Sequence, residues 1–298
     1  MSSILTNSSA MNALATLRDV NRGLTDTQSR VSSGLKVASG KDNAAYFAIS
    51  ETMKGDSGMF KAINEGMTAT KNSVATARLG AETVTGLAQQ MVERIAFAQS
   101  DGVNKQDVQN ELVALAKNMQ SAIDQATFNG DNLVDGSNFD TTTTPGTPIP
   151  NSINVVNGVK RDATGFSVTN FSFEAVDLQS IQTALAAIDV TKTDPAEITA
   201  GTAGYSTMAD KLKEAEGQLS ASITATTSLG ITENTLDGQM QFIDSLTNTL
   251  DSGVSSMVDA DMEEEAARLQ ALQVQQQLAT QSLSIANQAP QNILSLFR

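Results

Sequence analysis

The chain has no cysteine, no histidine and no tryptophan. Without cysteine there is no disulfide and no thiolate chemistry. Without histidine, the usual general base and the commonest transition-metal ligand are missing. Most familiar catalytic constellations are therefore excluded. There is no P-loop, no glycine-rich dinucleotide fingerprint after a strand, and no zinc-protease motif, which needs histidine. Neither a catalytic residue nor a metal or cofactor site is assigned, and an enzyme is not expected. Aromatic residues make up only 4% of the chain, which points to thin helix-to-helix packing rather than a thick aromatic core. No stretch approaches the roughly 18 apolar residues of a transmembrane helix, so membrane insertion is not expected. Met1–Ala13 lacks the basic start and the apolar run of a signal peptide, so export would need a machine that reads something else.

Basic residues are also scarce. The 298 residues carry a net charge of −14, which argues against nucleic acid as a partner. The imbalance is uneven: residues 1–100 hold ten Lys and Arg against eight Asp and Glu, whereas residues 101–298 hold nine against 25. Two readings of this stand, an acidic surface that keeps the protein soluble and a pairing of terminal arms of opposite sign.

What the chain does have is period. From Phe60 to Ala98, alternating steps of three and four give Phe60, Ile63, Met67, Thr70, Val74, Ala77, Ala81, Val84, Ala88, Met91, Ile95 and Ala98, with one polar residue among the twelve. Such a 3.5-residue repeat marks one face of a helix in a coiled-coil-like bundle. The segment would reach roughly 58 Å and must find partner helices. A return helix is expected after Asn104, with Val108, Leu112, Leu115, Met119, Ala122 and Ala126 as its seam and Asn104 at its start. The short break at 100–104 makes the two a hairpin. A second long rod begins near Gly204 and keeps phase through Tyr205, Met208, Leu212, Ala215, Leu219, Ser222, Thr226, Leu229, Glu233, Leu236, Met240, Ile243, Thr247, Leu250, Val254 and Met257. Gly230 lies off that seam and need not break it. This rod is the natural cover for Phe60–Ala98, so the fold class is mainly α, a long helical bundle.

Between the rods the character changes. Asn129-Gly130 and Asp135-Gly136 are turn dipeptides, and residues 141–150 hold three of the five prolines. Alternation in Ile153–Val156 and Phe166–Phe173 suggests short strands, and a helical patch follows at Leu178–Ile188. The segment reads as a small surface insert rich in strands and turns. Thr141–Thr144 reads as a flexible loop, with O-linked sugar as the alternative.

The ends have weaker seams. Leu14, Leu17, Leu24, Val31 and Leu35 fit the repeat if Asn21 and Gln28 occupy positions between them. Their burial is worth about 8–15 kcal/mol, against at least ~25 ordered residues at about 1–2 kcal/mol each, so this arm is expected to fold only on meeting something else. Gly34, Gly40, Gly55 and Gly58 punctuate the passage into the long helix. At the other end, Asp259, Asp261, Glu263, Glu264 and Glu265 lack the spacing of a calcium loop. They suit the positive end of a helix dipole. Leu269, Leu272, Ala279, Leu283 and Ala286 follow, with Gln276 in the seam. Pro290 can end or bend that helix, and Ile293, Leu294, Leu296 and Phe297 have no local cover.

Two terminal runs carry a resemblance. RVSSGLKVASGKDNAAYFAIS, Arg30–Ser50, resembles the amino-terminal signature of bacterial flagellin, and DADMEEEAARLQALQVQQQLATQSLSIANQAPQNILSLFR, Asp259–Arg298, resembles its carboxy-terminal one. FNGDNLVDG at Phe128–Gly136 fits as well. Tyr46-Phe47, where enteric flagellins usually have Gly-Leu, resembles the short flagellins of alphaproteobacteria. The resemblance implies a secreted, extracellular filament subunit that polymerises with its own copies for swimming. It implies terminal arms, 1–42 and 255–298, that pair to line a channel and order on assembly. A helical shell of 43–128 and 200–254 and an outward insert of 129–199 complete the expected domains. Export through the flagellar type III channel is implied too, with an export chaperone on the carboxy-terminal arm, a filament cap and junction proteins as partners. The alternatives are a hook–filament junction protein, which has similar ends, and a secreted helical adhesin. A protease-bearing flagellin would need metal ligands that are absent. The segment sensed by the Toll-like receptor for flagellin resembles Gln-Arg-Val-Arg-Glu-Leu in the family. Here it reads Gln90, Met91, Val92, Glu93, Arg94, Ile95, so weak or no receptor activation is expected.

Overall fold

The computed structural model describes residues 7–137, 139–140, 149–150, 152–162, 165–192 and 207–296, with backbone alone at 139–140, 149–150, 161–162, 166 and 289–296. In chain order these form α1 (Ser8–Ser33), α2 (Ala44–Phe97), α3 (Lys105–Gln125), β1 (Thr127–Phe128), β2 (Asp131–Asn132), β3 (Phe139–Asp140), β4 (Ile149–Pro150), β5 (Ser152–Asp162), β6 (Gly165–Glu174), α4 (Leu178–Ala186), α5 (Met208–Val258) and α6 (Met262–Leu296). The strands form three antiparallel pairs, β1–β2, β3–β4 and β5–β6. The architecture is the mainly helical one expected. It divides into two compact units, one of residues 1–58 and 247–298, the other of residues 59–246.

The larger unit is built on the two rods. On α2, Met67, Val74, Ala77, Ala81, Val84, Ala88, Met91 and Ile95 are buried, and Phe60 and Ile63 are half-buried beside them. On α5, Ala215, Ser222, Leu229, Leu236 and Ile243 are buried, with Leu212, Leu219 and Met240 packed against the same core. The 3.5-residue period thus survives over the whole described length. The rods run antiparallel, and polar pairs at steps of seven along α2 fix their register. Asn64 Nδ2 donates to Asp244, Lys71 Nζ pairs with Asp237 at 2.5 Å, Arg78 Nε with Glu233 at 2.7 Å, and Thr85 with Thr226 at 3.1 Å. The bond that Arg78 donates to the Glu233 carboxylate holds its guanidinium pKa above the usual range.

α3 returns along α2 with Asn104 as its N-cap, the side chain accepting from Gln106 N. Its buried face holds Val108, Leu112, Ala116, Met119 and Ile123. Ala116 and Ile123 join the expected seam because a 3.6-residue helix drifts across a strict 3.5 pattern. Gly80 permits the close approach here, since a Cβ on it would lie 2.6 Å from that of Ala126. The Asn-Gly turn closes β1–β2, with Asn129 at φ 54° and Gly130 at φ 90°, as two-residue hairpins require. Asn132 ties this turn to α3 by donating to Ile123 O at 2.8 Å.

Three expectations need correction. α2 starts at Ala44, not near Phe60, and Gly55 and Gly58 lie inside it. Each glycine costs about 1 kcal/mol. Asn43 offsets part of this by accepting from Ala45 N and Tyr46 N, and Ser57 adds a 2.7 Å bond to Asp251. Secondly, the segment read as a surface insert contributes to the core. Leu133, Val134, Val155, Phe173, Leu178, Ile181, Leu185, Ile188 and Val190 are all buried. α4 packs on α3, where Gln120 and Gln179 exchange two 2.8 Å bonds, and Lys211 of α5 donates to Asp189 O at 2.6 Å and to Lys192 O. Burial lowers the Lys211 pKa. Thirdly, of the two outcomes allowed at Pro290, an end or a bend, the end is ruled out, since α6 continues to Leu296. Gly204, Tyr205 and Thr141–Thr144 lie outside the described residues.

Candidate assembly surface

The smaller unit holds the candidate assembly residues. α1 ends at Gly34, whose φ of 73° lets its N–H return to Arg30 O. A turn follows in which the Asp42 carboxylate accepts from Ser39 N at 2.9 Å and Ala38 N at 3.2 Å. These bonds, Ser39 foremost, hold the Asp42 carboxyl below its usual pKa. Lys36 N donates to Val258 O at 2.7 Å, and Ala260 N to Gly34 O at 2.9 Å, so the turn is stitched to the end of α5. Beneath it, Val37, Val254 and Val258 form a small core with Leu35, Phe47, Met53 and Met257 around them. Phe47 thus has a packing role, while Tyr46 stays exposed.

α1 and α6 run antiparallel along one narrow seam. Leu17, Leu24 and Val31 are half-buried as expected, and Leu14 is more exposed at 37%. The positions between them are not Asn21 and Gln28, which face solvent, but Val20 and Thr27, both buried. Leu17, Val20, Leu24, Thr27 and Val31 also follow steps of three and four, so the sequence itself carries this phase. On α6 the seam is the expected one: Leu269, Leu272, Gln276, Leu283 and Ala286 are half-buried and Ala279 is buried. Leu250 is half-buried on α5. Ile293 and Leu296 are described only as backbone, and Phe297 lies outside the described residues.

Polar contacts fix the register of this pair. Arg30 Nη1 bonds Glu265 Oε1 at 3.2 Å, and Glu265 is 7% exposed. Glu263 and Glu264 point to solvent, and their amides are capped by Asp261. Among the described residues, the charge contrast between the arms acts through this one ion pair. Gln276 donates to Asn21 at 2.7 Å. At the far end Asn7 caps α1 by accepting from Ala10 N, while its Nδ2 donates to Ala286 O at 2.8 Å. That carbonyl is the one orphaned by Pro290, which has no N–H to return to it. Asn7 thereby replaces the missing helical bond.

Among the described residues this pair has one layer. Val20, Thr27, Glu265 and Ala279 are its buried members, and Met11, Val274, Leu278 and Ile285 each stay 56–65% exposed. The receptor-type segment lies in the larger unit on α2: Met91 and Ile95 are buried, Val92 is half-buried, and Gln90, Glu93 and Arg94 are exposed. Arg94 Nε pairs with Glu111 of α3 at 3.0 Å. Among the described residues no group of three or more carboxylates is placed to hold a metal ion, and no helix is long and apolar enough to cross a membrane.

Residues 4–139 match the family model of the bacterial flagellin N-terminal helical region, and residues 212–297 that of the C-terminal helical region. A flagellin of Brucella melitensis biotype 1 is 34% identical over 304 residues, spanning 100% of both chains. Flagellin FljK of Caulobacter vibrioides is 32% identical over 301 residues, covering 100% of this chain and 99% of that one. Among solved structures, one described as a flagellar hook-associated protein from Vibrio parahaemolyticus superposes with a TM-score of 0.54 at 13% identity, over 73% of this chain and 100% of that one. At that identity the likeness is one of fold.

Loss of either lock should loosen the pair. Glu265→Lys sets two cations together, and Asn7→Ala removes a cap worth about 0.5–2 kcal/mol as well as the bond to Ala286. Each should slow extension of filament seeds at least about threefold, taking about 0.7 kcal/mol of lost contact. The double change Glu263→Lys, Glu264→Lys should stay nearer the unmodified rate. Electron-microscopic length distributions of seeded filaments measure both.

Proposed function

Since the chain belongs to the bacterial flagellin family and is a structural subunit of the extracellular flagellar filament, we propose that its two terminal helices are the polymerisation elements. The observation that carries this is the one-layer seam between α1 and α6, with large apolar side chains uncovered along both helices. A pair this thin gains little from its own contacts and gains more when neighbouring copies bury the rest. Ordering and binding are then one step. In domain terms, residues 1–42 and 255–298 are the assembly arms and 43–128 and 200–254 the helical shell, to whose core residues of 129–199 such as Val134, Phe173 and Leu185 contribute.

The finer partners belong to the same proposal. An export chaperone on the carboxy-terminal arm would cover Val274, Leu278 and Ile285 before assembly. Passage through a type III channel, a filament cap and junction proteins would follow. The fold is shared with a hook-associated protein, so fold does not separate filament from junction. Full-length identity of 32–34% to flagellins favours the filament.

Receptor activation should be weak or absent. Met91 is buried, Glu93 is acidic where the family pattern has arginine, and Arg94 is engaged by Glu111. Reporter cells carrying the Toll-like receptor should give little response; a full response at roughly nanomolar protein, a typical specific affinity, contradicts this.

Purified full-length protein should extend short filament seeds, while a version trimmed to residues 43–254 should stay monomeric. Extension by the trimmed protein overturns the assignment of the arms. A short cap of full-length protein with no further growth supports the junction reading instead.

A further inference from the structure

Methionine is the one sulfur-bearing residue of this chain, which has 11 of them and no cysteine, tryptophan or histidine. A two-electron oxidant that meets the protein is left with the thioethers as its soft targets. Burial divides them sharply. Met67, Met91 and Met119 are wholly buried in the larger unit, and every other methionine described there is at least half-buried. Among the described residues the exposed ones are Met11 at 65% and Met262 at 45%. Both belong to the smaller unit, one on α1 and the other on α6.

The two positions differ in their surroundings. Met262 is the first residue of α6, between Asp261 and Glu263, both exposed. One more polar group at a helix start already charged and hydrated changes little. Met11 is in the first turn of α1, its N–H returning to Asn7 O at 3.0 Å. It lies within the stretch paired with α6, since Asn7 bonds Ala286 O on one side of it and Gly23 lies against Leu272 on the other. Leu14, 37% exposed, follows at the three-residue spacing that puts both side chains on one face. No charged side chain precedes Arg18 in the sequence. The exposed face at Met11 is thus apolar and free of side-chain charge.

We propose that Met11 is a sulfoxidation site that withholds the free chain from assembly. The inference rests on the reading of α1 and α6 as the polymerisation elements and adds a chemical gate to one of them. The oxidant is a peroxide. The Met11 thioether sulfur attacks one oxygen of hydrogen peroxide, and the O–O bond breaks as the S–O bond forms. Sulfur gives up two electrons, and the second oxygen leaves with both protons as water. The product replaces a pliable apolar group with a polar, chiral one. A neighbouring copy that covers it must either leave the S–O dipole unpaired or supply a donor. Cover in the filament shields the thioether in turn, so an assembled copy is spared and a free one is not. Methionine sulfoxide reductases return the two electrons and reverse the change.

Hydrogen peroxide applied to the full-length protein tests this, with buried Met91 as the internal reference. Peptide mass spectrometry should find Met11 oxidised at least about tenfold faster than Met91 in the monomer, and slowed at least about tenfold in seeded filaments. Oxidised monomer should extend untreated seeds at least about tenfold more slowly than untreated monomer, and sulfoxide reductase should restore the rate. Each variant is compared with its own untreated form: oxidation should slow M11L by less than about twofold, and M262L as much as the unmodified chain. Met11 oxidised no faster than Met91, equal oxidation in filament and monomer, or normal extension by protein oxidised at Met11 overturns the proposal and leaves the filament reading intact. So does an M11L slowed as much as the unmodified chain. Extension of seeds by the chain trimmed to residues 43–254, which lacks Met11, overturns the reading of the arms and this inference with it.

Discussion

The structure depends on two long antiparallel helices staying in register over their full length. With few aromatics, each turn of α2 buries little more than an Ala, Val or Met against α5. Burial at about 25 cal/mol per Å² becomes decisive only when summed over many turns, and a slip of one seam position would expose all of it together. The polar pairs at Asn64, Lys71, Arg78 and Thr85 guard against such a slip. Being half exposed, each contributes little to stability, but each is satisfied in one register only. They act on specificity, while the seam acts on stability.

The terminal pair repeats the design with less material. α1 and α6 share one seam, hold their register through Arg30–Glu265 and Asn7–Ala286, and lack a third helix to cover their other faces among the described residues. In a bundle α3 supplies that cover for α2; here neighbouring copies would. On the proposed reading, the contrast between a self-sufficient unit and an incomplete one would drive this helical protein to assemble. Its stability is then a property of the polymer as much as of the chain.

Where the hydrophobic period was strong, the sequence was legible. The seams of α2 and α5 are legible residue by residue over the described residues, since alternating steps of three and four persist long enough to exclude other phases. Shorter or weaker signals were ambiguous. In α1, Leu14 and Val20 support different phases, and packing against α6 favours Val20. Gly55 and Gly58 lower the local helix propensity, whereas α2 is held there by contacts to residues nearly 200 positions away, such as Ser57 to Asp251. The burial of α4 and Val134 was hidden for a similar reason: a nine-residue helix has too few turns to reveal its partner. The role of Asn7 was hidden as well, because only its position opposite Pro290 shows which carbonyl it serves. Of the candidate site, Leu17, Leu24 and Val31 of α1 and the apolar seam of α6 are legible in the sequence, whereas Val20, Thr27 and the Arg30–Glu265 and Asn7–Ala286 locks are not.

Amide hydrogen exchange, followed in the monomer and in seeded filaments, tests the central claim most directly. If the α1–α6 pair is completed by neighbouring copies, amides of residues 8–33 and 262–296 exchange quickly in the monomer, while those of α2 and α5 in the larger unit are already protected. Protection of the terminal helices then rises by several orders of magnitude in the filament. Terminal helices as well protected in the monomer as α2 and α5 would contradict the claim, and would make the arms a finished domain rather than one that assembly completes.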